Sequence, residues 1–120
     1  ALHLGPDEWL LLAPEAELTA AMQAIGPALE HAPHSLVDAS HRDAGLLVAG
    51  VAAAATLNVG CPLDLDIRAF PVGMCTRTLL GKAEVVLWRI EAESFRIETA
   101  RSFTSYVQAF LKEASRELGV

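Results

Sequence analysis

Basic residues are scarce in this sequence. Nine Lys and Arg against fifteen Asp and Glu leave a formal net charge of -6 over 120 residues, and no Lys/Arg cluster occurs anywhere. A protein that tracks a phosphate backbone normally carries a basic patch, so nucleic acid is excluded as a partner class. Long apolar runs are missing too, since none reaches the roughly 18 residues of a membrane-spanning helix, and no membrane partner is expected. The N-terminal segment, with Pro6, Asp7, Glu8 and no basic region, does not read as a secretory signal. A cytoplasmic location is expected. Cysteine is limited to Cys61 and Cys75, outside any C-x-x-C pattern, which suits reduced thiols in a reducing compartment. Neither G-x-G-x-x-G after a strand nor G-x-x-x-x-G-K-[ST] is present, so dinucleotides and nucleoside triphosphates lack their usual phosphate cradle. No cofactor is expected in this chain.

What the sequence has in excess is apolar surface. It is 52% hydrophobic and 20% charged, more apolar than an average soluble domain, with Ala and Leu supplying much of the difference. The length of 120 residues fits one domain over 1–120. In so short a chain the excess favours a covered face, an interface, over an unusually large core.

Periodicity gives the elements. Glu8 to Ala13 is a short apolar run whose length favours a buried strand, ended by Pro14. Pro14 suits the first turn of a helix carrying Leu18, Ala21, Met22, Ile25 and Leu29 at helical spacing, which Gly26-Pro27 must kink or end. His31 to His34 reads as a loop, Leu36 to Ser40 and Gly45 to Gly50 as strands, and Val51 to Val59 as a short helix stopped by Gly60. Strands over Met74 to Leu80, Ala83 to Ile90 and Phe95 to Thr99, separated by Gly81-Lys82 and Glu91 to Ser94, form a meander. The last of them alternates Phe95, Ile97 and Thr99 against Arg96 and Glu98, one dry face and one wet. Ser102 is an N-cap candidate for a final helix whose Phe103, Tyr106, Val107, Phe110, Leu111, Ala114 and Leu118 share a face. The fold class is α+β, a mainly antiparallel sheet with helices on one face. A faint echo between Asp7 to Ile25 and Glu93 to Phe110 suggests pseudo-duplicated strand-helix units.

Candidate chemistry is sparse. His31-x-x-His34 could approach a metal with Asp38 or His41, but Pro33 breaks the helical geometry that would align the pair. Asp38, Ser40 and His41 are the residue types of a hydrolase triad, yet on a strand His41 points away from the other two. Trp9 and Trp88 fit core or interface aromatics better than ligand platforms.

The segment Gly60 to Ala83 is different, holding both Cys and a concentration of Gly and Pro, so it must be a shaped connection feeding a strand. Its Leu63, Leu65, Ile67 and Phe70 place apolar bulk where a monomer keeps polar residues, beside Asp64 and Asp66, which can accept a partner's Arg or be solvated. Arg77 is either an exposed sheet-face cation or a buried partner of a carboxylate such as Asp64. The expected subunit interface therefore comprises Cys61, Leu63, Asp64, Leu65, Asp66, Ile67, Phe70 and Arg77, unless the apolar ones fold back on their own core.

Several stretches carry a family resemblance: Leu4-Gly5-Pro6-Asp7-Glu8-Trp9-Leu10-Leu11, Val37-Asp38-Ala39-Ser40-His41-Arg42, Leu57 to Leu65, Phe70 to Ala83 and Arg101-Ser102-Phe103. Together they resemble the gamma subunit of heterotetrameric sarcosine oxidase across nearly the whole chain. More distantly, Asp38-Ala39-Ser40-His41, Val48-Ala49-Gly50 and Gly73 with Thr78-Leu79-Leu80-x-x-Ala83 resemble the folate-binding aminomethyltransferase (glycine-cleavage T-protein) fold. The resemblance implies an accessory, non-catalytic subunit, inactive alone, beside alpha, beta and delta subunits. The implied complex demethylates sarcosine oxidatively to glycine, passing the one-carbon unit to tetrahydrofolate and forming hydrogen peroxide. FAD, FMN, NAD, tetrahydrofolate and zinc are implied on the other subunits. Such subunits usually have a longer N-terminal region, so a missing or naturally short one is expected here. Where aminomethyltransferases carry an acidic pair and an Asn-Ala, this sequence has Lys82-Ala83-Glu84 and Thr99-Ala100. That departure weighs against the alternative function, a free-standing folate or one-carbon binding domain.

Overall fold

The computed structural model describes residues 1–33, 35–40 and 42–119, in two compact units, Ala1–Ala39 and Ser40–Val120. The first opens with a hairpin in which β1 (Leu2–Gly5) pairs antiparallel with β2 (Glu8–Leu10). Across it the imidazole of His3 stacks on the indole of Trp9, with centroids 4.1 Å apart. The buried strand expected over Glu8 to Ala13 is shorter and wetter than its apolar run suggests. It ends at Leu10, and Trp9 is 58% exposed, because a two-stranded ribbon has little of its own to bury a side chain against.

Glu17 donates its backbone N–H to the Pro14 carbonyl at 2.9 Å, closing a 3-10 turn that feeds α1 (Leu18–Ala28). Pro27 sits in its last turn and lacks the N–H needed to continue it, so the helix stops one residue later. Residues 35–39 form no strand, contrary to the reading of Leu36 to Ser40, and Val37 is 61% exposed. β-propensity reports fit to a paired, half-buried surface, and here no strand pairs with the segment. The strand face that would have joined Asp38 to Ser40 is therefore absent. His34 and His41 lie outside the described residues. Among the described residues no group of three or more His, Cys, Asp or Glu could hold a metal ion.

The second unit contains the expected meander and one further strand. β3 (Asp43–Ala49) leads into the short α2 (Ala53–Asn58); after the long connection come β4 (Cys75–Leu80), β5 (Ala83–Glu91) and β6 (Ser94–Ala100), then α3 (Thr104–Glu117). The sheet order is β3-β6-β5-β4, all antiparallel. Alternation along the strands puts Ala83, Val85 and Leu87 of β5 and Phe95 and Ile97 of β6 on one face, where they meet Ala53 and Leu57 of α2 and Val107 of α3. On the other face Arg96 Nε donates to Glu98 Oε1 at 2.6 Å. Glu98 belongs to the expected wet face yet is only 8% exposed. Its cross-strand partner is Gly45, where a Cβ would stand 3.0 Å from both Arg96 Nη2 and Glu98 Oε1.

Ser102 is not the N-cap. The chain enters α3 through a 3-10 turn over Arg101–Phe103, and Phe103 already has helical dihedrals with no side-chain cap. The extended residue at the entry is Ala100, which has no hydroxyl, and Ser102 lies inside the 3-10 turn rather than ahead of it. Of the helix face, Val107 and Ala114 are buried, Phe110 and Leu111 pack beside the core, and Phe103 and Leu118 remain exposed. Phe110 fills the space over Gly60 and Gly81, whose backbones meet through a 3.0 Å bond from Gly81 N–H to the Gly60 carbonyl. No described helix is long and apolar enough to cross a membrane.

Candidate functional site

The long connection after α2 is built from two carboxylate turns. Asp64 Oδ1 accepts the Asp66 N–H at 3.0 Å, and Asp66 Oδ1 accepts the Arg68 N–H at 2.9 Å. Such side-chain mimicry of a backbone turn is the local habit of Asp. The Asp66 carbonyl then takes the N–H groups of Ala69 and Phe70 at 3.0 and 2.8 Å, closing a single helical turn. The outcome is a split in direction. Leu65 and Phe70 turn inward and are buried, with Cys61 and with Leu63 packed beside them, whereas Asp64, Asp66 and Ile67 face solvent.

The interface expected over this stretch is corrected accordingly. Cys61, Leu65 and Phe70 belong to the chain's own core and offer a partner no surface, because the two Asp turns fold their side chains back onto the sheet. Cys61 Sγ lies 3.7 Å from Thr78 Oγ1 on β4. Both cysteines are reduced, and Cys75 is half-buried. Arg77 takes the first of its two readings, an exposed cation on the sheet face away from the helices. Asp66 has its own cation: Arg68 Nε donates to Oδ1 at 3.0 Å. That bond, reinforced by the Arg68 backbone N–H, holds the Asp66 carboxyl below the usual carboxylate range and raises the guanidinium.

The residue that secures the loop is one that the sequence reading passed over. Arg89, on β5, is 4% exposed. Its Nη1 donates to the carbonyls of Leu65 at 3.0 Å and Phe70 at 2.6 Å, while Nε and Nη2 both reach the Ala92 carbonyl, at 3.1 and 2.9 Å. Its guanidinium carbon lies 4.7 Å from the centre of the Phe95 ring. A buried charge must be solvated by something, and here three carbonyls and an aromatic face do so. A signal was available: Arg89 continues the inward parity of Ala83, Val85 and Leu87, where a cation is out of place unless it has a task.

The connection thus presents an anchored inner side and a polar, partly apolar outer side. Nearby in sequence, Ile67, Val72, Met74 and Leu79 are each between 43% and 51% exposed. The model for the sarcosine oxidase, gamma subunit family matches residues 1–117. The chain belongs to the sarcosine oxidase gamma subunit family. It is 40% identical over 117 residues to sarcosine oxidase subunit gamma of Corynebacterium sp. (strain P-1), and 38% over 116 residues to that of Corynebacterium sp. (strain U-96). Each match covers 97% of this chain but 56% of the relative, so this gamma-family chain spans about half the length of the curated relatives it matches. Its structure is similar, with a TM-score of 0.91 and 37% identity, to a chain of the heterotetrameric sarcosine oxidase from Corynebacterium sp. U-96 in complex with pyrrole 2-carboxylate, covering 99% of this chain and 60% of that one.

Proposed function

We propose that this chain acts as the accessory, non-catalytic gamma subunit of a cytoplasmic heterotetrameric sarcosine oxidase, assembling with alpha, beta and delta subunits. The observation that carries the reading is the similarity over 99% of the chain to a chain of a heterotetrameric sarcosine oxidase, at a TM-score of 0.91. In this reading the complex converts sarcosine to glycine and hydrogen peroxide and passes the one-carbon unit to tetrahydrofolate. The flavins, NAD, folate and zinc sit on the other subunits, and residues 1–120 serve as one gamma-type domain of aminomethyltransferase-like, pseudo-duplicated fold. Two details support that fold: Gly50, at φ +129°, falls between β3 and α2, and Gly73, at φ +92°, turns the chain into β4.

The chemistry inside the chain agrees with a scaffold role. Of the buried polar groups, Arg89, Glu98 and Thr99 are occupied within the sheet and its loop, by bonds to the Leu65 and Phe70 carbonyls, to Arg96 and to the Glu84 carbonyl, while the Thr104 hydroxyl is buried without a hydrogen-bond partner among the described residues. Contact with partners is assigned to the outward side of the connection, Asp64, Asp66 and Ile67, to Arg77, and to the part of Leu63 that its packing against the core leaves uncovered.

The test is co-expression with the other subunits of a sarcosine oxidase, followed by sedimentation and a sarcosine-dependent peroxide assay. Incorporation of the chain, peroxide from the complex and none from the chain alone are expected. A complex that forms and turns over identically without the chain would overturn the reading. Replacing both Asp64 and Asp66 by Asn, which keeps the Oδ1 acceptors that close the two turns and removes only the charge, should weaken assembly while the lone chain's melting temperature hardly moves. Unchanged sedimentation removes the pair from the interface. If the purified chain instead gains the roughly 2.7 kcal/mol due from tetrahydrofolate at 100 times its dissociation constant, the free-standing folate domain replaces the accessory subunit.

A further inference from the structure

The register of β3 determines which of its backbone groups are left over. Gly50 donates its N–H to the Glu93 carbonyl at 2.9 Å, and the Arg42 carbonyl accepts the Arg101 N–H at 2.7 Å. Both bonds place even-numbered residues toward β6, and the alternation of an antiparallel ladder then turns the N–H and C=O of Gly45, Leu47 and Ala49 to the other side. β3 is the terminal strand of its sheet, so these groups have no partner among the described residues. Beside them lies an open groove of about 900 Å³ whose walls include Leu46, Val48, Val51, Ala109 and Leu111. One charge lines it, Lys112, which has no ion-pair partner among the described residues.

Edge strands of this kind are normally blunted by Pro, Lys, a bulge or a covering loop. β3 reads Asp-Ala-Gly-Leu-Leu-Val-Ala and keeps an unbroken register along its whole length. Leu47 is 67% exposed and Val51 87%. Resting on the gamma-subunit reading, we infer that this edge receives an extended segment of a partner subunit, which adds a strand beside β3. Its alternate side chains enter the groove, and a carboxylate meets Lys112. Unused backbone donors and acceptors in a row are satisfied by another extended backbone, which is the logic of strand addition. The lone cation selects an acidic segment. A second copy is the poorer occupant, since the edge strand it would bring, Asp43–Ala49, carries a single acidic residue at its very start.

The experiment compares the co-expressed complex carrying wild-type chain with complexes carrying Leu47→Pro, Lys112→Glu or Lys112→Arg. The N–H and C=O of Leu47 point away from β6, so a proline there removes an outward donor and sets a ring on the edge without breaking the ladder. The melting temperature of the lone Leu47→Pro chain should stay near wild type while its incorporation weakens about tenfold or more. Lys112→Glu should weaken incorporation and Lys112→Arg should not. Hydrogen exchange at Gly45, Leu47 and Ala49 should slow on assembly, a measurement on the wild-type complex that holds even if the proline variant fails to fold. Full incorporation of a folded Leu47→Pro chain, or equally fast exchange at those amides in the wild-type complex, overturns the inference and leaves the gamma-subunit reading standing. A homodimer lost with Leu47→Pro assigns the edge to a second copy instead. Wild-type chain that enters no complex overturns the parent reading and the inference with it.

Discussion

Replacing Arg89 by Met tests how much of the domain hangs on one side chain. Methionine keeps most of the volume and all of the apolar stem, but leaves the Leu65 and Phe70 carbonyls, now accepting at 3.0 and 2.6 Å, without their donor. A buried polar group stripped of its partner costs about 1–3 kcal/mol. Ala92 lies at a turn and can recover its bond from water. Against this loss stands relief from burying a charge, so the net for two carbonyls is about 3 kcal/mol. In a cooperative unit of 60–100 residues each kcal/mol moves the melting temperature by roughly 4–8 °C, giving a fall of about 12–24 °C by calorimetry. The damage should begin locally, with faster hydrogen exchange at the Phe70 and Gly73 amides, which bond to the Asp66 and Arg89 carbonyls. Arg89→Lys should lie between the two, since an ammonium cannot reach three carbonyls at once. A methionine variant melting within about 2 °C of wild type, with exchange unchanged at both amides, would refute the claim that the guanidinium holds the loop.

Asp66 should titrate below the ordinary carboxylate range when followed by NMR, and Arg68→Ala should return it toward that range, since Arg68 is the first cause of the depression. The sign is that of a depressed folded pKa: whatever this turn contributes to stability is present above the unfolded value and is lost as pH falls through the folded one. Gly81→Ala should destabilise by about 2 kcal/mol or more, because φ is +60° and a Cβ would run into the Tyr106 hydroxyl, which also accepts the Lys82 N–H at 3.0 Å. Chemical denaturation that finds the two proteins equal would count against that packing.

The meander was legible because each of its turns is short and each strand carries its own alternation, so neighbours in sequence are neighbours in the sheet. The pairing of β3 with β6 was not, since some fifty residues separate Asp43–Ala49 from Ser94–Ala100 and nothing local encodes a long-range ladder. Leu36 to Ser40 has strand-like residues but found no ladder, so pattern without partner misled. In the connection, sequence composition marked Cys61 to Gly73 as unusual but could not divide it. The same apolar bulk serves an interface or a core, and the direction of each side chain depends on two Asp turns and on an arginine some twenty residues further along. The dry face of β6 was read correctly from period two. Its wet face was not, because Glu98 stays nearly out of water beside a glycine on a strand that the pattern could not place next to it.

The grip of Arg89 on the Leu65 and Phe70 carbonyls bears on kinetics as well as on stability. Asp64 and Ile67, on the outer side of that loop, are held by a β-strand from within, so at the proposed interface their backbone would surrender little conformational entropy to a partner. If the proposed interface lies here, encounter should follow rigid-body docking, with an on-rate set by diffusion and charge. A loop of the same composition hung free of the sheet would have to order itself on contact, and would associate more slowly and more weakly for the same set of touching atoms.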